Sequence, residues 1–331
     1  MGDGSSPSYG ESLTSGSKAG LGGLMFIQFL VGIFGNSVIL YMFWKFKQLQ
    51  TPSNIIFISL LIANLGMCFC IPFSAASMLA GSWLFDSAGC KFYGFASMFF
   101  GLAVIGLLAC LSIDRYIVIC RPSLASSLTH SHYTYMSMAA YLNAVFWAIM
   151  PIFGWAHYDE VGTSGCSVDW TRADAPYISY LFSLFMVCFV LPIVTMVFCF
   201  GRTHTVLVMR QQVQNIGSRD NLSPVNSDWA NQKQVTQLGV VLIVIFILTW
   251  SPFAIVCLWG ALGDPQSIPL WLATLAPFAA KCSQFLNPLM FVVLIKRFRD
   301  YAVVMLCCRT HVETIELTPS AAQDDRNEGE L

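Results

Sequence analysis

The chain has 331 residues, 56% of them apolar and only 11% charged, whereas soluble domains carry roughly 45–50% apolar and about 25% charged residues. With a mean hydropathy of +0.65 and 26 Phe and 9 Trp, this much apolar surface cannot be hidden in one globule, and a bilayer is the expected solvent. The net charge of −1 supplies no basic face for nucleic acid, which is excluded as a partner.

Residues 1–18 are rich in Ser and Gly and lack an apolar core, so they read as a short polar extracellular tail and not as a signal peptide. Met1-Gly2 with Ser6 matches a myristoylation pattern, but a modified tail of that kind faces the cytoplasm. The charge distribution puts this one outside, so the match reads as chance.

Crossing the hydrocarbon takes about 20 apolar residues at helical rise. Seven such runs lie between polar breaks: Ala19–Trp44, Asn54–Ala80, Phe92–Cys120, Tyr133–Trp155, Ile178–Leu207, Val235–Leu262 and Ile268–Ile295. The predicted fold is an all-α membrane protein, a seven-helix bundle over residues 19–295. With the N-terminus outside, the outer side holds only Lys18, Lys91 and Arg172, and Lys281 lies in neither compartment. The rest of the 17 Lys and Arg fall inside, as the positive-inside rule requires. The acceptor-like Asn221-Leu-Ser sits in a cytoplasmic loop, where no sugar is expected.

After the last run, residues 296–308 alternate charge with an apolar face, as an interfacial helix does, and end at Cys307-Cys308, a juxtamembrane pair suited to palmitoylation. Residues 309–331 form an acidic cytoplasmic tail whose Thr314, Thr318 and Ser320 are either phosphorylation acceptors or part of a plain solvated segment. No repeat and no matched pair of broken helices points to a transporter.

Most of the 12 Cys lie inside apolar runs and behave as small hydrophobes. No zinc-like Cys/His spacing, phosphate-binding Gly loop or Gly-x-Ser-x-Gly elbow is present, so no metal site and no hydrolase or nucleotide chemistry is expected.

One residue does not belong to its surroundings. Lys281 lies midway along the seventh run with no Asp or Glu beside it in the hydrocarbon. A lysine at that depth costs about 2.5–3.5 kcal/mol on insertion scales and marks a functional site by default. Three chemistries tolerate it: pairing with a carboxylate, deprotonation, or capture of an aldehyde as a Schiff base. Trp250, Phe246 and Phe253 of the sixth run and Phe189 or Phe185 of the fifth would surround it with aromatic faces, a plausible cage for a conjugated aldehyde.

Gly35-Asn36, Asp114-Arg115-Tyr116, Trp147, Pro192, Trp250-Ser251-Pro252 and Asn287-Pro288 follow one another in a specific order. In this the sequence resembles the opsins, the retinal-binding branch of the rhodopsin-like G-protein-coupled receptors, over nearly the whole membrane portion. The resemblance implies that Lys281, six residues before Asn287-Pro288, carries retinal covalently. It also implies that Cys90 and Cys166 form a disulfide and that Asp114, Arg115 and Tyr116 contact a heterotrimeric G protein, with arrestin and a receptor kinase as further partners.

Tyr93 occupies the position where vertebrate visual pigments place a carboxylate, and the resemblance makes Glu160, six residues before Cys166, the counterion. Asp159 is its nearest rival, and Asp169 is assigned a structural role in the loop. The stretch around Cys166 looks most like the neuropsin-like non-visual opsins, and such a pigment is expected to be bistable, returning to its dark state with a second photon. The implied function is a light-activated receptor in the plasma membrane, not an enzyme. The alternatives are a retinal photoisomerase with weak or no signalling and a chemoreceptor for a diffusible ligand.

Departures from the family pattern are Asn64 in place of an Asp, and Phe291 and Phe200 in place of two tyrosines whose hydroxyls support the active state. Gln232 stands in place of a Glu that clamps the arginine, a change expected to remove that clamp.

Overall fold

The computed structural model describes residues 14–161, 165–169, 174–217 and 224–306. Cys307, Cys308 and the acidic tail lie outside the described residues. Helices α1 (Ser15–Lys45), α2 (Asn54–Ala80), α3 (Ser87–Cys120) and α4 (His130–Ile149) lead to a two-stranded hairpin, β1 (Tyr158–Val161) and β2 (Gly165–Val168). Helix α5 runs as Ala175–Phe185, a π-helical turn Met186–Val190, and Leu191–Gly217; α6 is Pro224–Leu262. Helix α7 is split into Leu270–Ala280 and Ser283–Leu294, and α8 is Lys296–Leu306. Helix α3 runs through the middle against α2, α4, α5 and α6, and α7 closes the ring between α6 and α1.

The helix ends are written locally. The Asp86 carboxylate accepts from Gly89 N–H at 2.8 Å to start α3, and Asp174 does the same for Tyr177 at 3.0 Å to start α5, each satisfying a donor that the helix leaves open. Gly81, at φ 79°, ends α2 in the left-handed region, where a residue with a Cβ would be strained.

Among the described residues five helices are long and apolar enough to cross a membrane on length and composition, and α7 contributes two shorter apolar pieces. The predicted bounds of α2 coincide with the observed ones. The fourth run stops at Ile149 and not Trp155, because Pro151 disfavours helix at the residue before it and the chain turns through Gly154 at φ 94°. The π turn in α5 precedes Pro192, whose missing N–H cannot serve the Cys188 carbonyl. Helices α5 and α6 run beyond the apolar windows, since adding a residue to an existing helix is far easier than starting one.

The seventh apolar run, Ile268–Ile295, forms two helical pieces with a break at Lys281–Cys282. The amide of Lys281 bonds Phe278 O at 3.2 Å and that of Cys282 bonds Ala279 O at 2.9 Å. Both are three-residue contacts that tighten the chain just after Pro277, which supplies no amide of its own.

Far from the hairpin, Phe43, Phe57, Phe291 and Phe298 pack edge to face at 5.3–6.3 Å, and Phe46 stacks on Tyr301 of α8 at 3.9 Å. Phe291 thus sits fully buried in an apolar cluster. Truncation to Ala is expected to lower stability by about 3–5 kcal/mol, read as a lower melting temperature of the detergent-solubilised protein.

Candidate functional site

Between α3, α5, α6 and α7, under the hairpin, lies a cavity of about 220 Å³. Lys281 reaches it from the break in α7 and is only 7% exposed. Its Nζ stands 5.7 Å from the centroid of the buried Tyr93 ring, a cation–π distance. Among the described residues no carboxylate lies within ion-pairing distance of this amine. The Ser97 hydroxyl, one turn along α3 from Tyr93, is buried in the cavity wall without a hydrogen-bond partner.

The opposite wall is aromatic. Phe246 and Trp250 stack at 5.4 Å and 17°, Phe253 meets Trp250 edge-on at 6.5 Å, and Phe185 stacks on Phe189 at 5.2 Å. The Trp250 indole N–H donates to Ser283 Oγ at 3.3 Å, tying α6 to α7 two residues beyond Lys281. Gly101 makes room for this ring, since a Cβ there would stand 2.4 Å from Trp250 Cη2.

The hairpin roofs the cavity. The Cys90–Cys166 disulfide fastens β2 to α3. The Tyr158 hydroxyl donates to Ala148 O at 2.7 Å, and Tyr158 presses so closely on Gly94 that a Cβ there would lie 2.5 Å from its ring. Burial pushes the Tyr158 hydroxyl well above the ordinary phenol range, so it remains a donor. Asp169 is buried, and its amide bonds His157 O at 2.9 Å, closing the hairpin base.

The sequence-predicted residues Lys281, Tyr93, Trp250, Phe246, Phe253 and Phe189 therefore meet around one cavity. Glu160 does not join them: it pairs with Cys166 across the hairpin, but its side chain is exposed and outside the cavity lining, as is that of Asp159. A charged carboxylate facing so apolar a cavity would lose its hydration, and water is the more favourable environment.

At the other end of α3, Arg115 pairs with Asp114, its Nε donating to Oδ2 at 2.8 Å, and Tyr133 donates to Asp114 Oδ1 at 2.8 Å. Arg115 Nη1 also donates to Gln232 Oε1 of α6 at 2.7 Å. The expectation that Gln232 removes the clamp on the arginine is therefore corrected: the amide oxygen accepts the same hydrogen bond without the charge. Tyr116 leans on Phe198 of α5 at 6.0 Å.

In the bundle middle, Asn36 Nδ2 donates to Gly32 O and Gln284 O, both at 2.8 Å, and Asn287 Nδ2 approaches Asn64 Oδ1 at 3.5 Å. Gly35 lies so near Pro288 that a Cβ would stand 2.9 Å from its ring.

Sequence reasoning missed Tyr158, Ser97, Gly101 and Tyr133. The α3 residues among them had a signal, since Tyr93, Ser97, Gly101 and Ile105 recur every four positions and all line the cavity. Gly101→Val is expected to destabilise the fold by about 1–3 kcal/mol through overpacking. Trp250→Leu in the same chain should recover part of that loss in a thermal melt.

Residues 35–291 match the family described as "7 transmembrane receptor (rhodopsin family)". The human "Visual pigment-like receptor peropsin" is 38% identical over 89% of this chain and 86% of its own, and its Mus musculus counterpart is 36% identical over 91% and 88%. "Parapinopsin" of Ictalurus punctatus is 30% identical over 86% of this chain and 81% of its own. The crystal structure of squid rhodopsin superposes with a TM-score of 0.81 at 29% identity, covering 92% of this chain and 90% of that one. The chain is a multi-pass membrane protein that belongs to the rhodopsin family of seven-transmembrane receptors, within its opsin branch.

Proposed function

We propose that this protein is a light-activated, G-protein-coupled receptor that holds retinal covalently on Lys281. The observation that carries the reading is a buried primary amine opening into an aromatic-walled cavity, with no carboxylate among the described residues paired to it. Condensation of Lys281 Nζ with an aldehyde forms a carbon–nitrogen double bond and releases water. A lysine that condenses is thereby given a covalent role in the cavity, and the positive charge of a protonated Schiff base would still call for a counterion. The residues fit such a group: flat aromatic faces suit a polyene, the Tyr93 ring centroid lies 5.7 Å from the amine, and Ser97 adds a hydroxyl to the lining.

Retinal supplies light absorption and a cis-to-trans change of shape. The chain's part is to hold that shape against Trp250, whose ring is braced by Gly101 and hydrogen-bonded to Ser283, so that a push on the indole reaches both α6 and α7. Light then shifts an equilibrium between two arrangements of the helices, by differential contact with each. Glu160 serves as counterion in this reading, which requires its side chain, exposed on the hairpin opposite Cys166, to turn toward the amine once retinal is bound.

At the other end, Asp114, Arg115 and Tyr116 present the G-protein contact, with arrestin and a receptor kinase as later partners. The N-terminus faces outside the plasma membrane, Cys307 and Cys308 carry palmitate, and the pigment is bistable.

A photoisomerase with little signalling is the second reading. It is favoured by Phe200 and Phe291, which pack apolar rings where the family pattern has hydroxyls. Gln232→Leu separates the two readings. Loss of the Arg115 hydrogen bond should raise dark G-protein activation about fivefold in a receptor, the worth of one net hydrogen bond. It should change nothing in a pure isomerase.

The decisive measurement is an absorption spectrum after incubation with cis-retinal in darkness. Wild type should develop a light-sensitive band that Lys281→Ala abolishes, and Glu160→Gln should move a visible band toward the ultraviolet as the Schiff base loses its proton. A wild-type spectrum of free retinal alone would leave the chemoreceptor as the reading.

A further inference from the structure

Helix α1 carries a buried amide that the photochemistry above does not use. Gln28 is only 6% exposed although it belongs to a helix with many lipid-facing residues, and burying a carboxamide in hydrocarbon is costly unless it is bonded. Its Nε2 donates to Cys282 Sγ at 3.0 Å, across to the residue that follows Lys281, while its Oε1 has no partner.

That thiol is itself engaged: Cys282 Sγ donates to Phe278 O at 3.6 Å, and Phe278 O is the same carbonyl that accepts the backbone N–H of Lys281 at 3.2 Å. A continuous chain therefore runs from the Gln28 amide through the Cys282 thiol to the carbonyl that holds the Lys281 backbone. The next two turns of α1 also lie against α7. Gly32, one turn beyond Gln28, leaves no room for a Cβ, which would stand 2.6 Å from Cys68 Sγ of α2 and 3.8 Å from Phe285 Cβ of α7, and Asn36, one turn further, bonds Gln284 O. On the other side of Gln28, Met25 lines the Lys281 cavity itself.

We infer that Gln28 is a positioning residue for the reactive amine: by hydrogen bonding Cys282 it fixes the break in α7 and so sets where Lys281 Nζ enters the cavity. A break after Pro277 leaves α7 without its regular ladder at Phe278 and Ala279, and a segment freed in that way needs an outside support to keep one conformation. Gln28 is that support. Its clasp reaches the break from α1, whereas Trp250 reaches it from α6 through Ser283. This inference rests on the reading of Lys281 as the retinal-bearing residue.

The test uses the full chain with Gln28→Leu, Cys282→Ala, Cys282→Ser and the double variant Gln28→Leu/Cys282→Ala. In the retinal-free protein, the infrared S–H stretching band of Cys282, identified by its loss in Cys282→Ala, should shift in Gln28→Leu. After incubation with cis-retinal in darkness, Gln28→Leu and Cys282→Ala should each lose the pigment to hydroxylamine about fivefold faster than wild type and absorb at a shifted wavelength, the factor expected for one net hydrogen bond. The double variant should be no worse than either single one. Cys282→Ser, which keeps an acceptor for Gln28 and a donor for Phe278 O, should behave as wild type.

An unmoved S–H band, a wild-type hydroxylamine rate in Gln28→Leu, or additive effects in the double variant would overturn the inference. So would a lowered melting temperature in Gln28→Leu with unchanged spectrum and hydroxylamine rate, since Gln28 would then be structural only. If wild type takes up no retinal, the photopigment reading falls and the positioning role falls with it. If wild type forms the pigment and Gln28→Leu matches it, only the present inference fails.

Discussion

A primary amine held in hydrocarbon is the constraint on which the rest of this molecule turns. Lys281 is buried, it approaches a tyrosine ring, and no carboxylate among the described residues pairs with it. The insertion penalty for a lysine at this depth is of the order of 2.5–3.5 kcal/mol, a large share of the few kcal/mol by which domains are stable. Such a residue persists only when the fold gives it something to do. The broken α7, the glycines that admit Tyr158 and Trp250, and the roof fastened by Cys90–Cys166 all shape the space into which that amine points its chemistry.

The break in α7 does two things at once. It exposes carbonyls that a regular helix would use, and those are taken up by nearby groups: Phe278 O by the Lys281 amide and the Cys282 thiol, Ala279 O by the Cys282 amide, and Ala280 O by the Ser283 hydroxyl at 3.1 Å. It also lets the residues at the break make contacts on opposite sides, Cys282 toward α1 and Ser283 toward α6. A straight helix would carry Lys281 on one face with no such linkage, and a change at Trp250 would have a poorer grip on α7.

The sequence made the bundle and the amine legible for a physical reason: spans are set by a length of hydrocarbon and a lysine within one is an outlier against that background. The aromatic wall followed from residue type, and Phe246, Trp250 and Phe253 do line the cavity. Interruptions were harder to read. Pro277 was visible, but whether a proline kinks a helix gently or breaks it depends on which groups take over the freed carbonyls, and here the Cys282 and Ser283 side chains that do so are themselves held from α1 and α6. Glu160 shows the same limit. Its spacing from Cys166 gives it a place in the hairpin, and Glu160 does pair with Cys166, yet spacing along a strand does not say how far a flexible side chain extends toward water.

The Arg115 end shows how a lost charge need not mean a lost contact. A carboxylate at position 232 would attract Arg115 through charge as well as hydrogen bonding, whereas Gln232 retains only the directional part, at 2.7 Å. Asp114 keeps the full ionic partnership and is itself oriented by Tyr133. The arginine is therefore held by an ionic partner within α3 and by a neutral hydrogen bond across to α6. The packing around this end of the bundle is apolar. Phe291 is locked in an aromatic cluster with Phe43, Phe57 and Phe298, and Phe200 packs so near Gly239 of α6 that a Cβ there would stand 3.0 Å from its ring. In the receptor reading proposed above, the neutral latch of Arg115 on Gln232 and the apolar contact of Phe200 with Gly239 are what a push on Trp250 would have to overcome to move α6.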